Sequence, residues 1–158
     1  MAARLQSMRL LDAQGVRYEV MAFSPEIHTA EGVAEALGLP AAQVYKTLVV
    51  VRESGRALLA LLAGERELDL RQLAAITGEK KLRMAAHRDA ERLTGLKVGG
   101  ISALALTHKR WPVYLDRPAL EHEWILVSAG RRGVNLRVHP ADLVRVTGAQ
   151  VVDLSRAR

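Results

Sequence analysis

Val44-Tyr-Lys-Thr-Leu-Val-Val-Val51, Arg52-Glu-Ser-Gly-Arg56 and Ala57-Leu-Leu-Ala-Leu-Leu-Ala63 follow one another without interruption. Two apolar runs of strand length, joined by polar residues that include a glycine, predict a β-hairpin at the centre of a sheet. Upstream, Leu5, Met8 and Leu11 recur at helical spacing before Gly15, and Val16, Tyr18, Val20 and Ala22 alternate with Arg17 and Glu19 as in a half-buried strand. Thr29 is placed to cap a helix through Ala30, Val33, Ala34 and Leu37, which Gly38 and Pro40 end. Downstream, Asp69 opens a helix that closes at Gly78, Leu82 and Met84 suggest a short strand, and a small helix from Arg88 to Thr94 stops at Gly95. Strands are expected at Val113–Leu115, Trp124–Val127 and Val134–Val138, the last two flanking a hairpin loop from Ser128 to Gly133. Pro140 starts a final helix ending near Gly148, with an edge strand at Val151-Val152.

The 158 residues, 49% hydrophobic and 25% charged, have the profile of one compact soluble α/β domain spanning 1–158. No apolar run approaches the ~18 residues a membrane span requires, and residues 1–11 lack a signal-peptide core. A cytoplasmic protein with no membrane association is expected. With no cysteine, disulfides, a thiolate nucleophile and Cys-ligated zinc are excluded. Lys and Arg number 23 against 17 Asp and Glu, a net charge of +6, which suits a polyanionic partner or serves solubility alone. Aromatics, at 4%, are too few to form a stacking platform along a long single strand. A basic surface with one deep pocket fits better.

Familiar catalytic constellations fail on spacing. Gly100-Ile-Ser102-Ala-Leu opens like a nucleophile elbow but lacks the closing glycine. His28, His87, His108, His122 and His139 never fall three or four apart, so no metal site is expected. There is neither a Walker loop nor a dinucleotide fingerprint, hence no expected cofactor.

Three features stand out. Lys46 interrupts the most apolar strand. It either snorkels from a strand edge or sets a fixed charge for a phosphate or a polarised carbonyl. Lys97-Val-Gly99-Gly100-Ile101-Ser102 has paired glycines that either make a tight connection or bring backbone N–H groups close to an anionic oxygen. Ser128-Ala-Gly130-Arg131-Arg132-Gly133-Val-Asn135 places a polar side chain on each side of a basic turn, which is either a solvated hairpin tip or a nucleic-acid contact.

Together with Val33-Ala-Glu-Ala-Leu-Gly-Leu39, these segments resemble the YbaK-type branch of the prolyl-tRNA-synthetase-associated editing family, from about Leu10 through Asp153. The resemblance implies a mixed α/β fold with a curved, barrel-like central sheet surrounded by short helices. It also implies a trans-acting deacylase that removes cysteine or another small amino acid from misacylated tRNA. Its partner would be the aminoacylated acceptor end of tRNA, with prolyl-tRNA synthetase a further candidate. Lys46 matches the family's key lysine and would hold the substrate end, while Gly99, Gly100, Ile101 and Ser102 would supply donors near the ester carbonyl. Cleavage would be assisted by the substrate's own hydroxyl or thiol.

Tyr18, Ile27, Thr47, Ser128, Gly130 and Asn135 fall where the amino acid would bind, and Arg131 and Arg132 where tRNA phosphates would lie. Three pocket positions depart from the family pattern. Ala103 replaces a proline, Ala105 a glycine, and Asn135 an aspartate. Loss of the proline could loosen the loop, and a non-catalytic tRNA- or synthetase-binding module of the same fold is the competing expectation.

Overall fold

A computed structural model describes residues 4–158, so the first three residues of the opening segment lie outside it. Helix α1 (Gln6–Ala13) leads to strand β1 (Tyr18–Ala22) and helix α2 (Ala30–Leu37). The Thr29 side chain caps α2 by accepting from Gly32 N, and Gly38 closes it in the left-handed region, the two signals read from sequence. The central hairpin follows as β2 (Tyr45–Arg52) and β3 (Ala57–Ala63), then β4 (Arg66–Leu68), α3 (Leu70–Thr77), β5 (Leu82–Met84) and α4 (His87–Thr94). A 3-10 turn at Leu104–Lys109 precedes β6 (Val113–Asp116), β7 (Ile125–Arg131), β8 (Val134–Val138), α5 (Pro140–Thr147), β9 (Gln150–Val152) and β10 (Ser155–Ala157).

The main sheet has the order β5-β2-β3-β6-β9. Every residue of β3 is buried, because alternate side chains enter different clusters: Leu59 and Leu61 join one, Leu58 and Leu62 the other. Burying a leucine is worth roughly 1.5–3 kcal/mol, so the hairpin is a rigid base for whatever its edges carry.

A second sheet, β1-β8-β7, and a two-stranded ribbon, β10-β4, complete the strands. The barrel-like sheet implied by the resemblance is not closed. β2 and β7 touch through a single parallel bridge, Val44 to Leu126, and the main sheet keeps β5 and β9 as open edges. No further bridge pairs β2 with β7 among the described residues.

The expected loop at Ser128–Gly133 is shorter than the sequence suggests. β7 continues to Arg131 through an irregularity between Ser128 and Arg131. Gly130 takes φ +109° there, and Ser7 Oγ donates to Ala129 O at 2.6 Å, tying the bulge to α1.

Candidate functional site

A cleft of about 590 Å³ opens beside the start of β2, between α2, α4, the glycine loop and the β7–β8 sheet. Its geometry follows from strand pairing. Gly64 N donates to Val44 O at 2.9 Å, and antiparallel ladders alternate. Lys46 therefore turns its main chain to Leu62, its partner in β3, while Thr47 turns its N–H and C=O to the outer edge. β5 covers that edge only from Val50 onward. Thr47 thus offers a free donor and acceptor to the cleft, whose lining includes it.

Lys46 stands at the mouth of this cleft. Its Nζ donates to Arg66 O at 2.7 Å and Gly64 O at 3.2 Å. An ammonium has three N–H donors, so one remains for a ligand. Burial is the main cause lowering its pKa from the ordinary lysine value; Arg158 acts in the same direction, and Glu31 and Glu67 oppose it. The carbonyl anchors are themselves fixed. A Cβ on Gly64 would lie 2.6 Å from Ala30 Cβ, so only glycine lets this turn pack onto α2. Arg158 forms an ion pair with Glu31 beside the cleft.

The glycine loop forms the opposite wall, and side chains hold it. Glu91 of α4 accepts from Val98 N at 2.8 Å, and Arg132 Nε donates to Val98 O at 2.7 Å. One peptide segment is thus gripped from both sides. The Val98 N–H stabilises the charged form of Glu91 and is the main cause lowering its pKa.

Gly99 has φ +93°, and a Cβ there would meet His28 Cα at 3.1 Å. Gly100 sits against the β7–β8 hairpin, where a Cβ would lie 2.8 Å from Arg132 N and 2.9 Å from Arg131 C. Its own N–H is engaged by Lys97 O at 2.8 Å. Gly100 therefore contributes close approach and not the free donor expected of it. Ser102, 1% exposed, accepts from Ala105 N at 3.2 Å behind the wall.

The third side is the second sheet. Ser128 and Asn135 face each other across β7 and β8, and both line the cleft. Asn135 is 5% exposed. Tyr45 also lines it, and its hydroxyl is the buried side-chain atom without a hydrogen-bond partner among the described residues. Burial, chiefly, pushes the Tyr45 phenol up, keeping it protonated as a donor.

Of the residues singled out from sequence, the structure brings Lys46, Thr47, Gly99, Ile101, Ser128, Arg132 and Asn135 to one cleft. Tyr18 lies elsewhere, in a separate depression with Trp124 and Arg137, where its hydroxyl donates to Asp12 at 3.0 Å and accepts from Arg4 at 3.0 Å. Ile27 packs into the cluster around Val33 and Leu126. Gly130 supports the wall from behind, against Ala105, and Arg131 is exposed at the hairpin end.

His28, Glu31, His87, Glu91 and Arg158 reach the cleft without having been foreseen. Each arrives by tertiary placement. No spacing in the chain connects them to Lys46.

One pocket departure, Ala103, keeps a backbone that proline would also adopt. Ala103 has φ −62°, a value that proline would impose, and the loop it follows is held by Glu91, Arg132 and the Ser102 hydroxyl. These contacts act against the loosening expected from loss of the proline.

The family model of the aminoacyl-tRNA editing domain matches residues 24–146. A relative from Enterococcus faecalis, named "Putative Cys-tRNA(Pro)/Cys-tRNA(Cys) deacylase EbsC", is 34% identical over 96% of this chain and 93% of its own. A proline–tRNA ligase of Solidesulfovibrio magneticus is 34% identical over 65% of this chain but only 18% of the ligase, so the similarity covers one part of that enzyme. Among solved structures, "a putative trans-editing enzyme for prolyl tRNA synthetase" superposes with TM-score 0.80 at 30% identity, covering 99% of this chain and 100% of that one.

Proposed function

Since this chain belongs to the aminoacyl-tRNA editing domain family, we propose that it is a trans-acting deacylase. It cleaves the ester linking cysteine, or another small amino acid, to tRNA(Pro) or tRNA(Cys). The observation that carries this reading is the placement of Lys46. Its half-buried ammonium is pinned by two main-chain carbonyls, retains one donor, and borders a cleft walled by the glycine loop.

The terminal nucleotide and its ester enter between β2 and the loop, where Thr47 supplies free main-chain groups. Lys46 holds the substrate end, and the loop around Gly99 lies against the ester carbonyl. Ser128 and Asn135 border the amino-acid side chain. The attacking group is the substrate's own hydroxyl or thiol. Two observations support that assignment. Ser102 is sealed behind the wall, and among the described residues Ser128 Oγ has Gly130 N as its partner and no histidine or carboxylate to activate it.

Catalysis then rests on orientation and electrostatic stabilisation, each able to supply several kcal/mol. Prolyl-tRNA synthetase, part of which is similar to this chain in a relative, is the proposed protein partner, and the cytoplasm the proposed compartment. No helix among the described residues is long and apolar enough to cross a membrane.

The test is a panel of Cys, Ala, Ser and Pro esters on tRNA(Pro) and tRNA(Cys), incubated with the purified chain. Cysteinyl esters should be lost fastest and prolyl-tRNA(Pro) spared. Tight tRNA binding with no ester lost at any residue would support the non-catalytic module instead.

Glu91 gives a second expected outcome, because its carboxylate grips the loop through Val98 N. Glu91→Ala should lower kcat about 10-fold with little change in KM, as a misplaced loop affects positioning more than binding. Glu91→Gln keeps an acceptor for Val98 N and should recover most of the rate. In the wild-type protein the contact is present above the ordinary carboxylate range and is lost as pH falls through the lowered Glu91 pKa. The kcat profile of wild type should therefore stay flat down to at least about pH 5 as far as this group is concerned. A KM change alone on Glu91→Ala would contradict the positioning role.

A further inference from the structure

On the other side of Lys46 lies a second depression of about 440 Å³, between β2, β4, α3 and β10. It shares Lys46, Leu48 and Arg158 with the cleft, so the two spaces meet along the same side chains. Its composition is divided. Leu48, Leu70 and Met84 give apolar lining, with Met84 40% exposed. Arg66, Arg71, Arg156 and Arg158 bring guanidinium groups to the same space, against the carboxylates of Glu67 and Asp69.

Both acids are occupied. Glu67 pairs with Arg156 at 3.0 Å, and Asp69 caps α3 through Gln72 N at 3.0 Å. Arg66 Nε donates to Ser155 at 2.6 Å, and Arg158 meets Glu31. Arg71 is exposed and has no ion pair among the described residues. The balance is cationic, with an uncommitted guanidinium at its edge.

We infer that this groove binds the single-stranded nucleotides immediately preceding the aminoacylated one. The inference rests on the deacylase reading, which places the esterified nucleotide in the neighbouring cleft. A strand leaving that cleft past Lys46 enters a space whose apolar lining accepts base faces and whose arginines accept phosphates. Guanidinium planes stack on base faces as well as pairing with phosphates, which suits single-stranded nucleic acid better than a simple anion. The volume lies within the ~300–1,000 Å³ typical of small-molecule sites, enough for a short segment and not for a duplex.

The experiment compares binding of two uncharged RNA minihelices, one ending in the single-stranded tRNA 3′ end and one blunt, to wild type and to the double variant Arg71→Ala/Arg156→Ala. Both positions are exposed, so the fold should persist, and thermal unfolding checks it. Wild type should prefer the single-stranded end by about 10-fold. The double variant should lose that preference, and its salt slope should fall by about 1.4, the ~0.7 per phosphate contact of single strands taken twice. Retention of the preference and of the slope would overturn the groove assignment. Cleavage of 3′-O-cysteinyl-adenosine, which lacks the preceding nucleotides, should be equal in the two proteins. Its complete absence in both would count against the deacylase reading, while the minihelix comparison still decides the groove.

Discussion

Lys46→Ala should reduce single-turnover deacylation by about 10²–10³-fold, the range seen when one preorganised electrostatic contact is removed, while leaving a folded protein. Nζ is held by the Gly64 and Arg66 carbonyls, so its position is set before substrate arrives and costs no reorganisation during the reaction. Lys46→Arg should not restore the rate. A planar fork cannot occupy a site shaped for a point donor between two carbonyls.

Stability should change little for a physical reason. A lowered pKa means that the charged lysine is disfavoured in the folded chain. Its cost is fully present below the lowered pKa and disappears as pH rises above the ordinary lysine value of about 10.5. Removing the ammonium relieves this cost, offsetting the two lost hydrogen bonds, and the half-buried carbonyls can turn to water. Lost activity accompanied by lost folding would instead make Lys46 a tether between β2 and the β3–β4 turn. A near-normal rate would remove it from catalysis.

Gly100→Ala is the second large effect. The added Cβ would sit 2.8 Å from Arg132 N and 2.9 Å from Arg131 C, and both are backbone atoms that cannot swing aside. The loop must move away from the hairpin, loosening the Arg132 grip on Val98. Overpacking of this kind costs about 1–3 kcal/mol, or roughly 2–12 °C in Tm for a domain of this size. A displacement of about 1 Å at the ester can cost 10²-fold in rate.

Gly95→Ala is the matched control. Gly95 has φ +73° but nothing within 4 Å of an added Cβ, so it should lose some stability through its left-handed backbone and keep its rate. Equal rate losses in the two variants would show that general destabilisation, and not the loop's seat, explains the first.

The hairpin and most helix ends were legible because their causes are local. Thr29, Asp69 and Pro140 each begin a helix, and Gly38, Gly78, Gly95 and Gly148 each end one in the left-handed region. β4 and β10 were not legible. They are three residues each, carry charged side chains, and pair with each other across most of the chain, so no periodicity announces them.

The site divides the same way. Lys46 and the paired glycines violate local expectation, one as a charge in an apolar strand, the others as a flexible pair in an ordered stretch, and such violations can be read from sequence. Glu91 sits on an unremarkable polar helix, and its role depends on Val98 folding back against α4. Tyr18, placed by resemblance at the amino-acid pocket, lies in a separate depression, because alternation along β1 gives the half-buried face but not where the hydroxyl ends. On β1 it turns to Asp12 and Arg4. The barrel-like sheet stays open: Val44 and Leu126 form one isolated bridge between its halves, and β5 and β9 remain free edges.

The most direct test of the central claim is single-turnover reaction of labelled cysteinyl-tRNA(Pro) with excess purified chain and no synthetase. The account predicts ester loss at least about 100-fold faster than spontaneous cleavage, an effect of about 2.7 kcal/mol on the barrier, with no label passing to the protein at any time. Cleavage at the spontaneous rate despite bound tRNA, or label transferred covalently to the chain, would contradict it.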